Sequence, residues 1–167
     1  MRSPNKSGAV LKRERNAGVQ SALALCAQRG AQMTDVRRMV LETLWCADQP
    51  LGAYDLMSVL EARSQRKFSP PTIYRTLDFL LDLGLIARIE SRNAYVPCAD
   101  PDRRNAAMYF VCDQCSTSVE IENPDLEALV TKDAQSLGFE VGRRIVELQG
   151  TCASCRAAPA STGRSKA

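Results

Sequence analysis

Two cysteine pairs carry the densest chemistry in this chain: Cys112-Asp-Gln-Cys115 and, 36 residues on, Cys152-Ala-Ser-Cys155. Two-residue spacing lets both thiolates of a pair turn toward one ion from a tight knuckle. Two such knuckles complete a tetrahedral four-thiolate site, which suits Zn²⁺ and leaves no position open for catalysis. The metal would close the segment between the pairs into a loop and so help a small domain fold. The competing readings are four unliganded thiols or a redox dithiol. A redox cysteine belongs at a helix start, where its pKa is lowered, whereas both pairs follow strand-like segments. The spacing therefore predicts one structural zinc ion per chain, held by Cys112, Cys115, Cys152 and Cys155.

A second group of residues points to nucleic acid. In Pro71-Thr72-Ile73-Tyr74-Arg75-Thr76-Leu77, helical spacing sets Tyr74 and Arg75 apart from the apolar face. A guanidinium at Arg75 can fork onto guanine O6 and N7, and Tyr74 can reach a phosphate or a thymine methyl. The plain alternative is a solvated helix face with Arg75 paired to Asp78 or Asp82. The elements around the segment favour DNA.

Those elements follow from periodicity. Val19, Ala22, Leu23 and Cys26 mark one helical face. Thr34 is an N-cap for a helix whose stripe is Val36, Met39, Val40, Thr43, Leu44 and Ala47. Leu56, Val59 and Leu60 mark a third helix. Ser69-Pro70-Pro71 opens a fourth, with Ile73, Leu77, Leu80 and Leu81 buried and Gly84 as its stop. Residues 85–90 and 94–96 then form a short hairpin about Ser91-Arg92-Asn93. Three helices and a two-stranded ribbon within about residues 34–98 read as a winged helix-turn-helix, with the fourth helix as its reader. Further on come strands at 107–111 and 118–121, a helix from Pro124 to Leu137, and a returning strand from Phe139 to Leu148. The helix shows Leu126, Leu129, Val130 and Leu137 on one side. Cys26, Cys46 and Trp45 are expected in the core.

Composition narrows the function. The 167 residues contain no histidine, which removes Ser–His and Cys–His nucleophile pairs, imidazole bases and imidazole metal ligands. No Gly-rich phosphate loop is present, so an enzyme using the cysteines as a zinc-ribbon scaffold is disfavoured. Apolar residues at 45% and charged residues at 25% suit a folded soluble protein. Charge is uneven: residues 1–30 carry six cations and one acid, whereas residues 100–155 carry five cations and ten acids. A basic front and an acidic back suit contact with a polyanion through the first half only. Seven cysteines, no secretory signal and no apolar run of membrane length argue for a reducing cytoplasm and no membrane partner.

The order of these motifs resembles the ferric uptake regulator family, and within it the zinc uptake regulator branch. The resemblance is carried by Thr34-Asp-Val-Arg37, Gly52-Ala-Tyr54-Asp-Leu56, Ser69 through Leu80, Ile89 through Cys98 and the two cysteine pairs. It spans about residues 20–155. It implies an α+β chain with an N-terminal winged helix-turn-helix and a C-terminal α/β dimerisation domain containing the four-cysteine zinc site. The expected divisions are a disordered basic arm at 1–16, the winged helix at 17–98, a hinge at 99–105, the dimerisation domain at 106–155 and a disordered tail at 156–167. The expected activity is repression of transcription by a homodimer bound to a palindromic operator in double-stranded DNA. The residues matching Tyr54 and Arg75 contact bases in that family, and the one matching Arg37 helps hold the backbone. Together with Thr72 and Tyr74, these form the expected DNA-contacting set.

One departure stands out. The branch holds its regulatory metal at the hinge with a His, a Cys, a second His and a Glu, and the matching positions here are Ala87, Cys98, Asn105 and Glu120. Two ligands of four survive, so sensing through a second ion is expected to be weakened or lost. The alternatives are a zinc sensor built from Cys98, Glu120, Asp100 and Asp102, and a thiol-redox regulator switched through Cys98.

Overall fold

The computed structural model describes residues 8–98, 108–141 and 146–157. The winged portion runs α1 (Gly8–Gln28), α2 (Asp35–Cys46), β1 (Leu51–Gly52), α3 (Ala53–Ser64), α4 (Pro70–Asp82), β2 (Ile86–Ile89), a 3₁₀ turn at Glu90–Arg92 and β3 (Ala94–Pro97). The second portion runs β4 (Met108–Cys112), β5 (Ser118–Ile121), α5 (Pro124–Ser136), β6 (Val146–Gly150) and α6 (Ala153–Ala157). The hinge segment 99–105, with Asp100, Asp102 and Asn105, and the tail beyond Ala157 lie outside the described residues.

The winged portion is built on aliphatic side chains from all four helices, with Leu41, Leu44, Leu56, Ile73, Leu77 and Leu80 fully enclosed. Thr34 caps α2 by accepting a hydrogen bond from the Arg37 amide, and Gly84, at φ +72°, ends the last turn after α4. The close approach of α1 to α2 depends on Gly18. A Cβ there would lie 2.3 Å from the Trp45 ring. Two polar side chains enter this core with partners: Thr76 donates to the Thr72 carbonyl at 2.9 Å, and Thr43 accepts from Arg63 at 2.9 Å.

Several expectations are corrected. The arm at 1–16 was expected to lack structure, yet α1 is helical from Gly8. The run from Ala9 to Ala17 has no proline and is rich in Ala, Leu, Lys, Arg and Glu, all strong helix formers. Cys46 is exposed at the end of α2, and Val59 is exposed on α3. Leu41 is buried beside the expected Trp45 because α2 packs on two sides, which widens its apolar face. The wing has three strands: β1 pairs with β3 through Leu51↔Tyr95, and β3 pairs with β2 through Ala87↔Val96. Among the described residues the return strand is Val146–Gly150, and Phe139 lies outside it.

In the second sheet β4 is central, antiparallel to β5 and parallel to β6. Strand alternation gives this sheet two different faces. Tyr109 stands opposite Glu120 on one side and Glu147 on the other, forming a polar row. Its neighbour Phe110 stands between Val119 and Leu148, forming an apolar row. The two rows face opposite directions.

Candidate nucleic-acid interface and metal centre

Helix α4 begins Ser69-Pro70-Pro71, a start at which the missing proline N–H groups leave no hydrogen bond unmade. The Ser69 and Thr72 hydroxyls lie 2.8 Å apart and tie its first turn. With Ile73, Thr76, Leu77 and Leu80 inward, Tyr74, Arg75 and Asp78 are left outward. Arg75 makes no hydrogen bond or ion pair among the described residues. The alternative of an Arg75–Asp78 or Arg75–Asp82 pair is therefore absent there. Tyr54, in the first turn of α3, is also exposed.

Arg37 stands in a different setting. Its guanidinium lies over the Phe79 ring at 3.4 Å from the centroid, and one N–H donates to the Gln32 carbonyl at 2.6 Å. It therefore ties the start of α2 to the back of α4 as well as reaching the surface, a packing role with no mark in the local residue pattern.

The four cysteines of the two pairs converge as their spacing predicts. Their sulfur atoms all lie within 4.8 Å of one another, the one such cluster of potential ligands among the described residues. Cys115 Sγ and Cys152 Sγ are 3.7 Å apart, far beyond a disulfide bond. The distance is close to the edge of a tetrahedron with metal–sulfur bonds of about 2.3 Å. The knuckle after β4 turns through Ser116, at φ +60°, whose amide returns to the Cys112 carbonyl at 3.0 Å. Backbone N–H groups of Cys115 and Cys152 point at Cys112 and pull its thiol down to about 6. The thiols of Cys152 and Cys115 hold Cys155 up, at about 12. Four sulfurs thus crowd a space that protons fill poorly and one divalent cation fills well. The donor set fits zinc.

Cys98, at the end of β3, is 4% exposed, and its thiol donates to Glu120 Oε1 at 3.8 Å. Burial, then the neighbouring Cys98 and Glu120, push the Tyr109 phenol well above its ordinary range, so it stays protonated. Ala87 packs against the cluster of Ile89, Val96, Tyr109 and Val111 and offers no donor atom. Of the four positions matching the regulatory ligands, Cys98 and Glu120 come together, Ala87 cannot coordinate, and Asn105 lies outside the described residues. The set does not fit a fully ligated hinge metal.

Sequence reasoning passed over Tyr109, Glu147 and Arg92. Glu147 accepts hydrogen bonds from the Glu90 and Ser91 amides, and Arg92 donates to the Cys112 carbonyl at 3.2 Å. No local pattern marks these residues, because their partners lie 20 to 57 positions away.

A winged helix that exposes Tyr74 and Arg75 on α4, joined to a small sheet domain with a four-thiolate centre, defines the class of metal-containing DNA-binding regulators. The model of the ferric uptake regulator family matches residues 28–149, and the chain belongs to that family. It is 39% identical over 134 residues to the zinc uptake regulation protein of Escherichia coli (strain K12), covering 78% of this chain and 77% of that one. A zinc uptake regulator solved in complex with zinc and DNA superposes with a TM-score of 0.79 at 33% identity, over 85% of this chain and 95% of that one. The crystal structure of holo XcZur gives a TM-score of 0.76 at 36% identity, over 86% of this chain and 99% of that one.

Proposed function

We propose that this protein is a homodimeric repressor of transcription that binds a pseudo-palindromic operator, as the zinc uptake regulators do. The observation that carries the reading is the exposed Tyr74 and Arg75 on the outer face of α4, set on a fold shared with a regulator solved on DNA. Arg75 reads a base edge, Tyr54 and Tyr74 contact bases or phosphates, and Thr72 and Arg37 fix the backbone. Arg37 retains N–H donors beyond the one spent on Gln32, and Phe79 holds the group in place. One zinc ion, held by Cys112, Cys115, Cys152 and Cys155, has a structural role and supplies no reaction step. The reading is of a regulator, not an enzyme. Among the described residues no helix is long and apolar enough to cross a membrane, and none of the seven cysteines forms a disulfide, in keeping with action in the cytoplasm.

The homodimer accounts for the apolar row of the second sheet. Phe110 and Leu148 are exposed there, and so are Leu129, Leu137, Phe139 and Val141 of the same portion. An apolar surface of this kind on a small domain marks an interface.

Metal sensing at the hinge is proposed to be weakened or lost. Shifting a two-state equilibrium from mostly off to mostly on needs about 5.5 kcal/mol of differential binding, and Cys98 with Glu120 is a poor source of it without imidazole partners. Burial and the hydrogen bond to Glu120 also leave Cys98 badly placed as an oxidant sensor. The test is operator titration across buffered zinc, on wild type and Cys98→Ser, with the four-cysteine zinc retained. Operator affinity should change less than about tenfold, or 1.4 kcal/mol, over the cellular free-zinc range. A steep response abolished in Cys98→Ser would restore zinc sensing through the remnant site.

A further inference from the structure

The polar row of the second sheet faces the wing, and each member of the row meets it at a different point. At one end Glu120 accepts from the Cys98 thiol at the close of β3. In the centre the Tyr109 ring packs with Val111 against Ile89 and Val96 of the wing. At the other end the two carboxylate oxygens of Glu147 accept separately, at 2.5 Å from the Glu90 amide and 3.1 Å from the Ser91 amide. The wing answers in the other direction: Arg92 donates to the Cys112 carbonyl at 3.2 Å and lies 3.5 Å from Asp113 Oδ1. A carboxylate spanning two successive N–H groups is a charge-assisted pairing with a defined geometry. Burial opposes ionisation of Glu147, but its hydrogen bonds at Ser91 and Glu90 outweigh that and leave the group below its ordinary carboxylate pKa.

We infer that the row Glu120–Tyr109–Glu147, with Arg92 returning from the wing, is a metal-free clamp between the two portions, and that Glu147 is a positioning residue for operator binding. A dimeric reader must hold its two α4 helices at the spacing of successive major grooves. That spacing depends on how each winged helix is fixed to the dimerising sheet. Here the fixing is done by backbone amides, a thiol, carboxylates, the Arg92 guanidinium and the packed Tyr109 ring, none of which needs an added ion. The inference rests on the proposed reading of the chain as a DNA-binding regulator and names what holds its reading geometry.

The experiment uses the full-length, zinc-loaded chain as wild type, Glu147→Ala and Glu147→Gln. Hydrogen exchange is read at the Glu90 and Ser91 amides and in α4, and solution scattering reports how the two portions are held. Affinity is measured on a duplex that the wild type selects from a random library. In Glu147→Ala, exchange at Glu90 and Ser91 should rise at least tenfold while α4 stays protected. The scattering profile should broaden, and duplex affinity should fall about tenfold. Glu147→Gln, which keeps one acceptor oxygen, should fall between, and it carries the test if the alanine variant does not fold. Unchanged exchange in both variants overturns the clamp, and raised exchange with unchanged affinity overturns the positioning role. Selection of no duplex by the wild type would instead sink the DNA-binding reading, while exchange and scattering would still judge the clamp.

Discussion

Arg75 and Arg37 are both arginines on the winged portion, but their surroundings give them different expected behaviour. Arg75 has no intramolecular partner among the described residues, so Arg75→Ala should leave the fold intact. It should cost about 1–3 kcal/mol of operator affinity and relax preference at one base pair in each half-site. Competition between operator and random duplexes checks this, and an equal loss on both would exclude base readout. Arg37 stacks on Phe79 and bonds to Gln32, so Arg37→Ala should do two things. Binding to all sequences should weaken with a shallower salt dependence, as a phosphate contact requires. The winged portion should also lose about 0.5–2 kcal/mol of stability through the missing stacking, visible in thermal unfolding without DNA. Cys112→Ser should remove zinc from the four-sulfur centre, measurable as metal content per chain. The second portion should then unfold or become monomeric while the helices of the winged core persist in circular dichroism, because that helical core draws no residue from beyond Tyr95.

Among the elements, α1 approaches α2 most tightly at Gly18. Alanine is normally the better helix former by about 1 kcal/mol, so Gly18→Ala would stabilise an isolated helix. In this fold the added Cβ would meet the Trp45 ring at 2.3 Å, and helix or ring must move. Overpacking of this kind costs about 1–3 kcal/mol. The net effect should be destabilising. The chain has one tryptophan, so its fluorescence reports the change directly: Gly18→Ala should shift the emission to the red as Trp45 gains solvent. An unshifted spectrum with unchanged unfolding would mean that α1 does not pack on α2 through this contact.

On the scale of the whole molecule, the second sheet divides its work between its faces. The polar row meets the wing, and the apolar row leaves Phe110 and Leu148 exposed, the surface proposed above to pair with a second copy of the chain. Phe110→Glu places a charge in the centre of that apolar row, where pairing would bury it unpartnered. The variant should sediment as a monomer that keeps its zinc and its helical content, and it should lose operator affinity because half-sites are no longer bound together. A Phe110→Glu dimer of wild-type affinity would show that this face is not the interface.

Local spacing along the chain is enough for part of this architecture. Residues 34 through 44 announce a capped helix, Ser69-Pro-Pro opens α4 at the right residue, and two cysteine pairs of fixed spacing imply one tetrahedral centre. Each of these follows from 3.6-residue periodicity, a cap or the reach of a tight turn. They are properties of a few neighbouring residues. Helix faces are legible only where one side is buried. Periodicity therefore leaves out Leu41 on α2, which has neighbours on two sides, and places Cys46 inside although it is exposed. Tertiary structure alone decided the rest. Tyr109 looked like an ordinary strand residue and Glu147 like a solvated acid until β4 paired antiparallel with β5 and parallel with β6. That register aligns three distant residues in one row and turns them toward the wing. Arg37 acquired its aromatic partner in the same way, through the crossing of α2 and α4. A one-residue change in strand register would send the row to the opposite face, and nothing in the local sequence records which register the folded chain adopts.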